Sequence, residues 1–230
     1  MDWIGAMAHT PRMPLILTIV AIVFSVYGGV RVIQIRRNIR NLKLGLDGER
    51  AVGQFLDGLR EDGARIFHDV PANAFNIDHV VISTRGLFVV ETKTLSKPSS
   101  DAAIVVTEGR ITAGGRALDR DPIQQVKAAA EWLRSELAQS TGKKLPVRPV
   151  VVFPGWFVEP MDSASRKTGA WVLEPKALPA FIGHEAEVMP MSDVALAAFH
   201  LSRYIRTVES KPGWLGTSRL GRRRGSFLRA

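Results

Sequence analysis

Asp78, Glu91 and Lys93 are the residues whose types and spacing in this 230-residue chain could do chemistry. They sit in or just after two short runs, 76–82 (NIDHVVI) and 87–92 (LFVVET), separated by Ser83, Thr84, Arg85 and Gly86. Runs rich in β-branched residues around such a break predict a β-hairpin. If its loop has two or four residues, opposed positions sum to 169, and Asp78 lies across from Glu91. Directly opposed residues share a face, with Cβ atoms roughly 5 Å apart. Lys93, two residues beyond Glu91, points to that same face. Opposed carboxylates repel, so the arrangement asks for a counter-charge, which Lys93 supplies in part and a divalent cation in full. A site with oxygen ligands alone favours Mg²⁺ or Mn²⁺. A three-residue loop would shift the register by one and separate the two carboxylates. By spacing alone, the three also read as strand-end charges solvated at a sheet edge.

The elements that must position them follow from periodicity. Val52, Phe55, Leu56 and Leu59 are at helical spacing, with Asp47 as a candidate N-cap, which predicts a short helix from about Gly48. Glu49, three and seven residues before Val52 and Leu56, leans toward its packed face, although a carboxylate in a first turn commonly serves only the helix dipole. Asp121-Pro122 predicts the start of a second helix running to about Gln139. There Gln125 shares a stripe with Ala129 and Trp132, or else is solvated. Strands are predicted over 64–70, 103–107, 110–113, 147–153 and 170–173, and a last helix over 193–208. His79 follows Asp78 and so points to the opposite face, as a packed side chain. His68 reads as a half-exposed strand residue, and Trp156 and Trp171 as core or rim and not a base-stacking platform.

The net charge of +9 invites a nucleic-acid reading, but its location matters. Residues 1–46 hold six basic residues against Asp2, and residues 211–230 hold six against none. The body, 47–210, keeps 19 basic and 21 acidic residues, a net of −2. With no cysteine, disulfides, thiolate metal sites and cysteine nucleophiles are excluded. Residues 13–30 (MPLILTIVAIVFSVYGGV) are uncharged and long enough to cross a bilayer as a helix. A snorkelling Arg31 would extend that transmembrane helix to residue 35. Arg36, Arg37, Arg40 and Lys43 follow it, which predicts a cytoplasmic C-terminal side and a short outer N-terminus, 1–12. The expected layout is then a basic juxtamembrane linker over 36–46, a folded domain over 47–210 and a basic tail over 211–230. The tail is a candidate contact for anionic lipid or nucleic acid. Oligomeric state is not marked.

Taken together, Gly48-Glu49-Arg50-Ala51-Val52, Asn76-Ile77-Asp78-His79-Val80-Val81-Ile82, Gly86-Leu87-Phe88-Val89-Val90-Glu91-Thr92-Lys93 and Asp121-Pro122-Ile123-Gln124-Gln125 resemble the nuclease-related domain. That family is a branch of the PD-(D/E)xK restriction-endonuclease-like superfamily. The resemblance implies an α/β fold, with a central mixed sheet flanked by helices. It implies Asp78 and Glu91 as metal ligands, Lys93 as the residue orienting water, and Glu49 and Gln125 completing the site. The implied activity is Mg²⁺-dependent phosphodiester hydrolysis of nucleic acid, DNA before RNA, and the apolar run places it at the inner or plasma membrane as an expectation. The alternative is an inactive module of the same fold that binds nucleic acid or a protein partner. The family usually has Asn where Asp121 stands, and Asp caps a helix as well.

Overall fold

The structure, a computed structural model, describes residues 13–210 except Ala74, with side chains apart from those of 13–16, 37, 38, 41 and 42. The expected outer N-terminus and basic tail lie outside the described residues. The chain divides into two units between Leu44 and Gly45. Helix α1 spans Met13–Asp57. Within it, Leu17–Arg36 is 20 residues long with a mean hydropathy of 1.8 and no burial, long and apolar enough to cross a membrane.

The predicted helix start at Gly48 is corrected. Asp47 lies inside α1 and caps nothing, because no proline interrupts residues 36–57. The glycines there cost about 1 kcal/mol each relative to alanine, which neighbouring strong helix formers offset.

The second unit, Gly45–Ala230, is built on a five-stranded sheet. Its members are β1 (Arg65–Pro71), β2 (Asn76–Ser83), β3 (Gly86–Thr92), β7 (Val147–Val152) and β9 (Trp171–Leu173), in the order β1-β2-β3-β7-β9. The first three strands are antiparallel, while β3, β7 and β9 run parallel. The sheet is therefore mixed, as the resemblance implied. Strand β3 is buried at all seven positions, which explains why its sequence is nearly continuously apolar and does not alternate.

Side-chain alternation sorts the core into two layers. Val80, Ile82, Leu87 and Val89 pack with Val126, Leu133 and Leu137 of helix α2 (Pro122–Thr141) and with Leu201 of helix α5 (Met191–Glu209). Val81, Phe88, Val90, Val150 and Val152 pack on the other face with Val52 and Leu56 of α1. Helix α2 begins where its sequence says it should: the Asp121 carboxylate accepts the N–H groups of Ile123 and Gln124 at 2.9 and 3.3 Å. It ends at Gly142, whose φ of 71° suits a residue without a Cβ.

A second sheet lies in the chain between β3 and α2. It pairs β4 (Ala103–Thr107), β5 (Arg110–Ala113), β6 (Arg116–Ala117) and, from later in the chain, β8 (Phe157–Val158), in the order β6-β5-β4-β8. Short helices α3 (Ser163–Arg166) and α4 (Leu178–His184) complete the fold. None of β6, β8, α3 and α4 was expected from the sequence.

Candidate active site

The β2–β3 hairpin turns through Thr84 and Arg85, and its register is that of the two-residue loop: Ile82 faces Leu87 and Val80 faces Val89. The ladder runs from Ser83–Gly86 to His79–Val90. Beyond it, a side chain takes over from the backbone. The Asp78 carboxylate accepts the Thr92 N–H at 2.8 Å. On the other edge of β3, Lys93 N–H still donates to the Val152 carbonyl at 2.9 Å.

Glu91, Lys93 and Gln125 close a triangle of hydrogen bonds. Lys93 Nζ donates to Glu91 Oε1 at 2.7 Å and to Gln125 Oε1 at 2.8 Å. Gln125 Nε2 donates to Glu91 Oε1 at 2.8 Å. Both donors fall on Oε1, and Glu91 Oε2 accepts from no described side chain or amide. Asp78 is 7% exposed and Glu91 5%. Two buried carboxylates, one position beyond the last ladder pair on either strand, with one ammonium, gather net negative charge at the end of apolar strands.

The donor set fits a hard divalent cation. Mg²⁺ keeps several waters and is commonly held by one or two carboxylates, which Asp78 and Glu91 provide. Among the described residues, no group of three or more His, Asp and Glu side chains is arranged to hold a metal ion. The carboxylate pair, completed by water or substrate oxygens, is therefore what the chain offers.

Glu49 reaches the strand end from another element. It is on α1, which covers the sheet face opposite to the one carrying Glu91 and Gln125. It is half-buried. A neighbouring glycine shows how closely α1 comes to the strand end: a Cβ on Gly48 would lie 2.6 Å from Thr94 Cγ2 and 3.5 Å from Pro154 Cγ. The Thr94 hydroxyl is buried there with no hydrogen-bond partner among the described residues. Sequence reasoning missed the roles of Gly48, Thr92 and Thr94. The register alone would have placed Thr92 beside Asp78, but nothing local signals the Gly48 contact. Gly48→Ala should cost about 1 kcal/mol or more, the gain in helix propensity being outweighed by overpacking. Thr94→Ala in the same chain should restore the loss. Thermal unfolding of the single and double variants checks this, and a single variant as stable as the parent would show the contact is not limiting.

The histidines are where alternation put them. His79, 4% exposed, is on the face opposite to Asp78, and its Nδ1 lies 2.7 Å from Nδ1 of His68, directly across on β1. One ring donates and the other accepts. Trp156 is core, its indole N–H donating to the Leu95 carbonyl at 3.1 Å, with Lys97 Nζ 5.5 Å from its ring centroid. Trp171 stacks on Phe88 at 5.6 Å between centroids.

The Glu49 stretch, the Asp78 strand, the Glu91-Thr92-Lys93 strand and the Gln125 helix thus belong to one segment of chain. Residues 44–154 match the nuclease-related domain. This segment is just under half of the chain. Its boundaries enclose every residue of the site and end just after β7, so β9, α4 and α5 lie beyond the matched segment. A solved structure similar to the chain is that of Pyrococcus furiosus SfsA in complex with Ca²⁺. The likeness has a TM-score of 0.32 and 17% identity, over 57% of this chain and 55% of that one. The chain thus spans little more than half of that protein's length. No curated protein matches the sequence.

Proposed function

We propose that this protein is a membrane-anchored, metal-dependent nuclease that hydrolyses phosphodiester bonds of nucleic acid, DNA before RNA, on the cytoplasmic side. The observation that carries this reading is the Glu91–Lys93–Gln125 triangle beside Asp78, within a nuclease-related domain. Asp78 and Glu91 would hold Mg²⁺ or Mn²⁺, which when bound supplies Lewis-acid polarisation of the scissile phosphate. The chain's own residues do the rest. Lys93 carries three N–H donors, two of them engaged by Glu91 and Gln125, so the third can meet a phosphoryl oxygen or orient a water molecule. Gln125, donating to Glu91 and accepting from Lys93, fixes the distance between carboxylate and ammonium. Positioning of this kind stabilises charge that develops on the phosphoryl oxygens. Glu49 would act from the other side of the strand end.

The test uses the protein with labelled single- and double-stranded DNA and RNA, in Mg²⁺, Mn²⁺ or EDTA. Cleavage that needs metal and prefers DNA supports the reading. A second reading, an inactive module of this fold that holds nucleic acid or a protein, is favoured by one observation: the body from 47 to 210 has a net charge of −2, unusual for a protein that grips a polyanion. Binding without cleavage by folded protein in every metal would select it.

Anchoring is proposed for Leu17–Arg36, with Arg36, Arg37, Arg40 and Lys43 holding the following chain in the cytoplasm. A reporter active only in the cytoplasm, fused after Ala230, should give full signal. A silent fusion of normally expressed protein would reverse the orientation.

A further inference from the structure

Lys97 is exposed, yet both its backbone and its ammonium are held. Pro98 follows it and biases its backbone to extended conformations. Pro98 is itself lodged against the turn between β5 and β6, where a Cβ on Gly114 would lie 3.0 Å from Pro98 Cγ. The Lys97 ammonium rests 5.5 Å from the ring centroid of Trp156, a side chain only 2% exposed. A lysine loses rotamer freedom on making a contact, and here part of that loss has already occurred on folding. Lys97 makes no ion pair with a described residue, whereas Lys93, Lys143 and Lys176 each do. Asp101, the nearest acid along the chain, has its carboxyl held below the usual range first by the Ser99 hydroxyl and only last by Lys97. Two paths lead from Lys97 to the candidate site. Along the chain it is four residues past Lys93, so the two Cα atoms are at most roughly 14 Å apart. Through space, Trp156 is four residues past Val152, whose carbonyl accepts the Lys93 N–H at 2.9 Å. The Trp156 indole also donates to the carbonyl of Leu95, midway between the two lysines. Lys97 therefore lies at the same carboxyl end of β3 and β7 as Glu91 and Lys93, the end at which open α/β sheets bind ligands.

We propose that Lys97 holds a backbone phosphate of the nucleic acid near the one that is cut, and so positions the substrate strand. The proposal rests on the nuclease reading above. Successive phosphates of one strand advance about 3.4 Å along a duplex, so this phosphate is a few nucleotides from the scissile bond. An ammonium is a compact charge with three donors, and a phosphate contact carries no sequence information. Lys97 therefore sets register and affinity and leaves base choice to other groups. It also supplies, beside the site, positive charge that the body as a whole lacks at a net of −2.

The experiment reads affinity against salt. The full chain, in detergent, is titrated onto a labelled DNA duplex in EDTA, so that binding is measured without cleavage. Each phosphate contact adds about 0.9 to the slope of log affinity on log salt. Lys97→Ala should lower the slope by about that amount, so that a rise from about 50 to about 200 mM salt weakens the variant about 3.5-fold less than the parent. Lys97→Arg, which keeps the charge, should keep the slope. Lys144→Ala removes an exposed lysine before the opposite end of β7 and should leave the slope unchanged. In Mg²⁺ with the same DNA, Lys97→Ala should raise KM while kcat holds, the mark of a contact made equally in ground and transition states. Melting curves confirm that the variants are folded. Parent-like slope and affinity in folded Lys97→Ala overturns the proposal, whether or not the protein cuts DNA. So does a parent that binds no duplex at the lowest salt. A parent that binds, loses slope with Lys97→Ala and yet cuts in no metal overturns the nuclease reading alone and leaves Lys97 as a phosphate contact.

Discussion

Lys93→Ala and Glu91→Gln are each expected to lower the metal-dependent cleavage rate by roughly 10²–10³-fold, the usual cost of removing one preorganised group that stabilises developing charge. The two substitutions act through different ends of one triangle. In Lys93→Ala the Glu91–Gln125 bond survives, so metal affinity should hold while the rate falls. In Glu91→Gln the side chain keeps its shape and a carbonyl oxygen for Lys93, but loses the charge that a cation requires. Metal affinity and rate should then fall together. Titration with Mn²⁺ beside single-turnover cleavage separates the two cases, and melting curves exclude unfolding. A folded Lys93→Ala protein that cuts at the parent rate would remove Lys93 from the chemistry. Effects of the double substitution should be far from additive, because both residues serve one hydrogen-bonded unit.

Trp156→Ala is expected to cost about 3–5 kcal/mol of stability, the range for deleting a large buried aromatic side chain. Trp156 is among the largest fully buried side chains, and its indole N–H also ties down the Leu95 carbonyl, two residues beyond Lys93. Trp156→Phe keeps most of the packing and leaves that carbonyl without its indole donor, so about 1 kcal/mol should be lost. Urea denaturation of the two variants, with unchanged denaturant slopes, checks both values. Parent-like stability in Trp156→Ala would show that the ring fills no essential volume.

The hairpin was legible in the sequence because its information is local: a two-residue turn between two apolar runs sets the register, and the register sets which charges share a face. Helix α2 was legible for the same reason, since Asp121, Pro122 and Gly142 mark its ends by short-range chemistry. The two-residue strands β6 and β8 carry no periodicity of their own and exist through pairing with distant partners. Phe157–Val158 is a strand because it lies beside Ala103 and Ile104, more than fifty positions earlier. The start of α1 was misplaced because Asp47-Gly48 has the composition of a cap, while the uninterrupted helical sequence before it decided the matter. Helical spacing showed that Glu49 leans toward the buried side of its helix. It carried no information about which face of the sheet that helix covers, so the placing of Val52 and Leu56 on the face opposite to α2 emerged only in three dimensions.

Lys93 and Gln125 are 32 positions apart, yet their side chains touch. The chain between them carries β4, β5 and β6, and Ile104, Val106, Ile111 and Ala113 of β4 and β5 are buried in the same core layer as Val80 and Val89. The excursion is thus tied down by its apolar strands and open to change only at its exposed turns, where doubling a closed loop costs about 0.6 kcal/mol in closure entropy. Insertions at those turns could therefore alter what surrounds the site, while changes to the buried strands would disturb the layer that carries Glu91.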